Sequence, residues 1–164
     1  MSPDTVFFWA TLPFTLFAAW SDLKYMKIWN GFNISVFCLF LVLGLILLPF
    51  GDYLTRIGIA LAAFVIGFAL NALRVMGGGD AKYIAAFIPF VAPQDLYFFF
   101  FVLSVCLLAA VVIHRVARAV PAIRIATPDW VSWSAKKFPM GLGLSGGLSF
   151  YLAIRAFNLP VSIG

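Results

Sequence analysis

From Gly31 to Phe50 the chain carries no charged side chain, and the same holds from Leu96 to Ile113. Runs of this length and polarity match the roughly 20 residues that a helix needs to cross the hydrocarbon core of a bilayer. They are not isolated. Among 164 residues, 64% are hydrophobic and only 10% charged, and mean hydropathy is +1.07. The composition excludes a soluble domain and points to a polytopic, all-α integral membrane protein built as one compact domain over residues 1–164. Six apolar segments are predicted, over about 6–20, 31–50, 55–75, 80–91, 96–114 and 139–157. The fourth is too short for an upright span and is expected to begin at Gly77-Gly78-Gly79, unwound from helical geometry. Pro13 is a possible kink in the first. The first segment is retained as a span, because Asp4 replaces the basic flank of a signal peptide and no clean small-x-small cleavage site precedes Asp22.

Charge assigns sides to the segments. Lys24 and Lys27 lie in the first loop, Arg74 and Lys82 in the third, and Arg115, Arg118, Arg124, Lys136 and Lys137 in the fifth. These are nine of the 11 basic residues, leaving Arg56 and Arg155. The positive-inside bias then makes the odd loops cytoplasmic and puts both termini outside. The net charge of +5 is explained by these loops and does not suggest nucleic acid as a partner. The fifth loop mixes cations with Ile123, Ile125, Trp130 and Trp133. It is expected to lie on the inner leaflet, either as a tether between spans or as a lid or docking surface for substrate.

All six acids are aspartates. The topology sends Asp4, Asp52 and Asp95 outward and Asp22, Asp80 and Asp129 inward. Asp80 follows the three glycines between two apolar segments, where a carboxylate is expensive and irregular backbone survives only inside protein or beside a wet cavity. Asp22 follows the first segment at a similar depth. Two neighbouring carboxylates do not ionise together easily. One can act as general base on water and the other can donate a proton, with no metal and no cofactor. Glycines beside them allow close approach of a peptide backbone. The plainer alternatives are that Asp80 caps the fourth helix and that Asp22 balances Lys24 and Lys27. Cys38 and Cys106 read as small buried hydrophobes, and His114, the single histidine, offers no metal site.

Gly77-Gly78-Gly79-Asp80-Ala81-Lys82 resembles the G-x-G-D-x-K signature of the prepilin peptidase family, GxGD-type aspartyl proteases that process type IV prepilins. Ser21-Asp22-Leu23-Lys24-Tyr25-Met26-Lys27-Ile28-Trp29-Asn30 resembles the family's first motif, with Trp29 where proline is usual. Phe138-Pro139-Met140-Gly141 resembles a late element that opens the last span. The absence of paired C-x-x-C motifs makes the chain similar to the compact Flp/Tad-associated type (the CpaA/TadV-like group). The resemblance implies a bacterial inner-membrane aspartic endopeptidase that uses Asp22 and Asp80. It implies cleavage at the cytoplasmic face, between the basic leader and the apolar helix of a prepilin. Gly77, Gly78, Gly79, Lys82, Asn30, Pro139 and Gly141 are then expected around the substrate. Nothing resembles a site for S-adenosylmethionine, and no feature indicates an oligomeric state.

Several features keep two readings. Lys82 is a snorkelling cation, or it tunes Asp80 or meets an acidic group on the substrate. Asn30 holds the acid-bearing loop or caps the second helix. Gly143 and Gly147, with Gly141, Ser145 and Ser149, form a small face in the sixth segment; Ala63 and Gly67 do so in the third. Such faces suit close helix packing, or a groove for a substrate helix. Phe98 to Phe101 most simply face lipid. Two rival functions remain: a small transporter or proton-coupled channel using the same acids, and a non-catalytic membrane scaffold.

Overall fold

The computed structural model describes residues 2–135 and 137–159; Lys136, counted above among the fifth-loop cations, lies outside them. The described residues form seven α-helices joined by short 3-10 turns and loops. These are α1 (Pro3–Tyr25), α2 (Asn30–Leu47), α3 (Phe50–Ala72), α4 (Gly78–Phe87), α5 (Leu96–Ala119), α6 (Pro121–Ala126) and α7 (Met140–Ala156). Four helices are long and apolar enough to cross a membrane: α1, α2, α3 and the 27-residue stretch Pro93–Ala119 that contains α5. α7 has 17 residues and α4 only 10.

Local chemistry explains the boundaries. Ser2 caps α1 by accepting from the Thr5 N–H, with Pro3 at the first helical position, where its missing N–H costs nothing. α1 continues through Pro13 as one helix and ends at Met26, in the left-handed region at φ 53°. The Ser21 hydroxyl donates to the Lys27 carbonyl at 2.7 Å and so ties down that turn. Pro121 starts α6 instead of merely breaking the chain, and α5 extends to Ala119, taking Arg115 and Arg118 into the helix.

α4 is the centre of the bundle. It packs on α3, α2 and α7, while α7 packs along α1 and α5. Its side chains Ala81, Tyr83, Ala85, Ala86 and Phe87 are buried, as are Ile88, Pro89, Phe90 and Val91 beyond it. Phe90 meets Phe7 and Phe40 edge-on with ring centroids 5.3 and 5.4 Å apart, a geometry that aromatic quadrupoles favour. Small residues permit the close contacts. A Cβ on Gly67 would stand 2.9 Å from Ala81 Cβ, and one on Gly143 or Gly147 would collide with Leu107 or Leu103 of α5. Gly143 and Gly147 therefore serve helix packing. Ser145 and Ser149 add polar contacts, to Tyr83 Oη at 3.1 Å and to Thr15 Oγ1 at 2.8 Å.

The chain between α4 and α5 leaves α-helical geometry for two short 3-10 turns amid apolar surroundings, so its backbone polar groups need partners. Arg56, only 5% exposed, pairs with Asp52 at 3.0 Å and donates to the Pro89 and Phe90 carbonyls at 3.4 and 3.5 Å. The Tyr151 hydroxyl accepts from the Ala92 N–H at 3.1 Å and donates to Asp95, which also pairs with Arg155 at 3.1 Å. The two basic residues outside the odd loops are thus both neutralised by acids at this end of the bundle.

Three expectations need correction. Of the three glycines only Gly77 leaves helical geometry: Gly78 and Gly79 are the first residues of α4, and no glycine among the described residues has positive φ. Phe99 is fully buried against Phe87 and Tyr151, whereas Phe100 and Phe101 are exposed, because successive residues of a helix point about 100° apart. Cys38 is exposed on α2 and Cys106 half-buried; an all-apolar helix face is as well solvated by lipid as by protein, so an apolar run alone does not bury its cysteine.

Candidate active site

Asp22 lies in the last turn of α1 and is 6% exposed. One of its oxygens, Oδ2, accepts the Gly141 N–H at 2.6 Å. This amide belongs to the first turn of α7, where N–H groups lack helical partners and point at anions. Pro139 precedes the helix as its N-terminal boundary residue. The contact requires glycine, since a Cβ at residue 141 would stand 2.7 Å from Asp22 Cβ and 2.9 Å from Oδ2.

Asp80 sits in the first turn of α4, partly buried, and makes no capping hydrogen bond there. Gly77 adopts extended backbone just before the helix, and a Cβ on it would lie 2.6 Å from Asp80 Oδ2. Gly77 therefore makes room for the carboxylate. A Cβ on Gly78 would crowd the Asn71 amide at 3.3 Å, and one on Gly79 would make ordinary contact with the Ile28 backbone at 3.7 Å. Asn71 Nδ2 also donates to the Met76 carbonyl at 3.0 Å, which fixes the entry to the glycine turn.

α1 and α4, whose ends carry the two acids, both pack against α7, and the Asp22 charge reaches Asp80, as does that of Lys137 just before α7. Lys82 is directed elsewhere. Its Nζ donates to Asn30 Oδ1 at 3.0 Å, joining α4 to the first residue of α2. Trp29, not Asn30, bounds that helix. At the same end Lys24 pairs with Asp129 at 2.6 Å; hydrogen bonding to Lys24 holds the exposed Asp129 carboxyl below its ordinary range. The 3-10 turn Val131–Trp133 packs on α1, and Trp133 stacks between His114 and Trp130. The segment after α6 is thus fastened beside Asp22.

Sequence reasoning selected Asp22, Asp80, Asn30, Lys82 and Gly141. It did not anticipate that Gly141 acts on Asp22 through its backbone, nor that the Lys137 charge reaches Asp80. It also passed over Asn33, whose buried amide finds no partner. A polar residue one turn into an otherwise apolar segment was the available signal.

These elements define an all-helical protein with membrane-crossing helices and two aspartates gathered at one end of the bundle. Residues 9–113 match the model of the type IV leader peptidase family, and the chain belongs to that family. The match contains the segments around Asp22 and Asp80 and stops before Gly141. Membership implies peptidase activity on prepilin substrates and, with the apolar helices, a bacterial inner-membrane protein. No curated protein and no solved structure matches the sequence significantly.

Proposed function

We propose that the chain is an aspartic endopeptidase that cleaves the leader from type IV prepilins of the Flp/Tad type, with Asp22 and Asp80 as its catalytic pair. The observation that supports the reading is that α1 and α4 both pack on α7, whose Gly141 amide holds one Asp22 oxygen while Asp80 stands in the first turn of α4. A water between the carboxylates attacks the scissile carbonyl. The basic aspartate takes the water proton, and the protonated one donates to the leaving amine as the C–N bond breaks. Because Gly141 orients Asp22 through Oδ2, the other oxygen is free to contact that water.

In this reading the chain crosses the membrane six times, with α4 as a short fourth crossing, both termini outside and the acids facing the cytoplasm. The distribution of Lys and Arg supports the orientation. The buried Arg56 and Tyr151 networks support a crossing that ends in irregular backbone. The glycine turn, the Lys82–Asn30 pair and Pro139 form the rim that receives the substrate. Family membership disfavours a transporter.

The test is cleavage of an Flp-type prepilin by purified protein in liposomes, beside Asp22→Asn and Asp80→Asn. Wild-type processing with neither variant active is expected. Full activity in either folded variant refutes the pair.

A further inference from the structure

Between α2, α3 and α4 lies a groove of about 420 Å³, walled by apolar side chains that include Phe37, Leu61, Phe64 and Ala86. It exists because, below Lys82, α4 presents only Ala85 and Ala86 there and α3 contributes Ala60 beside Leu61 and Phe64, so side-chain volume is missing between three helices. Two features are polar. At its mouth stands the Lys82–Asn30 pair. One turn further along α2 stands Asn33, 5% exposed, with neither Oδ1 nor Nδ2 hydrogen-bonded. A buried amide left without partners is costly, and each such group in a native structure calls for a reason. Its two free valences ask for a ligand that offers an N–H and a carbonyl together.

The proposed substrate offers both at this depth. Its apolar helix begins close to the cleavage point, and the first four N–H groups of any helix lack intrahelical partners. In water they are solvated; in an apolar groove they must be capped by protein. Asparagine is among the best capping residues. Asp80 lies two positions before Lys82, around the first turn of α4, so a helix seated in the groove delivers the chain preceding it across the glycine turn to the acids. We infer that this groove seats the start of the prepilin's apolar helix and that Asn33 caps that helix in trans, Oδ1 accepting a first-turn N–H and Nδ2 donating to an adjacent carbonyl. The inference rests on the prepilin-peptidase reading and adds a specificity-determining residue to it.

The test combines kinetics, stability and capture in liposomes. Asn33→Leu is expected to raise KM for prepilin about tenfold, the cost of one capping contact, with kcat within twofold of wild type. Asn33→Asp, which keeps the acceptor, recovers most of the affinity. Because Leu removes an orphaned amide, its melting temperature is expected to stay level or rise. A photo-crosslinker at Leu61 in the Asp22→Asn protein should capture uncleaved prepilin, less so when Asn33→Leu is added. Unchanged KM, a lowered melting temperature, or capture of lipid alone each overturn the inference. Failure of the peptidase reading looks different: the wild type then cleaves no prepilin, or Asp22→Asn cleaves it normally, while the crosslink still reports the groove's occupant.

Discussion

Replacing Gly141 with alanine isolates the link between α7 and the acid pair. The new Cβ would stand 2.7 Å from Asp22 Cβ, 2.9 Å from Oδ2 and 3.0 Å from Cγ. Ordinary carbon contacts begin near 3.5 Å, so α1 and α7 must separate or Asp22 must rotate by roughly 0.5 to 1 Å. Overpacking of this kind costs about 1 to 3 kcal/mol. A displacement near 1 Å at a reacting group costs up to about 100-fold in rate. The 2.6 Å hydrogen bond from Gly141 to Asp22 is stretched by the same movement. Gly141→Ala is therefore expected to reduce kcat for prepilin cleavage by about 10- to 100-fold, with little change in KM. Gly146→Ala is the control on the same helix, since its Cβ would meet nothing closer than Cys106 Cβ at 3.7 Å. The assay is single-turnover cleavage in liposomes, with helical content followed by circular dichroism. Wild-type kcat in folded Gly141→Ala protein would refute the reasoning.

Other perturbations test the surrounding structure. Arg56→Met should destabilise the bundle by about 2 to 3 kcal/mol in detergent unfolding, below the full cost of breaking a buried pair, because Asp52 retains partial solvent contact. Tyr83→Phe should cost about 1 kcal/mol by orphaning Ser145, and adding Ser145→Ala should recover part of that loss; additive losses would show that the two hydroxyls do not interact. In a cysteine-free background, a cysteine at Asp129 should be labelled by an impermeant thiol reagent only from the cytoplasmic side and one at Asp52 only from outside. The opposite pattern would invert the proposed topology.

Much of this architecture is legible along the chain. Apolar runs bounded by charged or turn-forming residues locate the ends of α1, α2, α3, α5 and α7 to within five residues, because a helix is the cheapest way to satisfy the backbone in lipid. The paired motifs single out Asp22 and Asp80, because carboxylates are too costly in such surroundings to be incidental.

What hydropathy cannot convey is which way a side chain points when lipid and protein interior are equally apolar. Phe99 and Phe100 are adjacent and chemically identical, yet one is core and the other exposed. Arg56 and Asn33 look like isolated polar residues until the fold brings Pro89 and Phe90 to the first and leaves the second buried and unpartnered in the wall of a groove. The hydrogen bond from Gly141 to Asp22 joins residues at opposite ends of the chain. It depends on α7 starting beside the last turn of α1 with no side chain between them. Sequence alone determined the helices and the acids, through the cost of polar groups in lipid. Only tertiary packing decided what faces them, because that depends on distances between helices that no local pattern encodes.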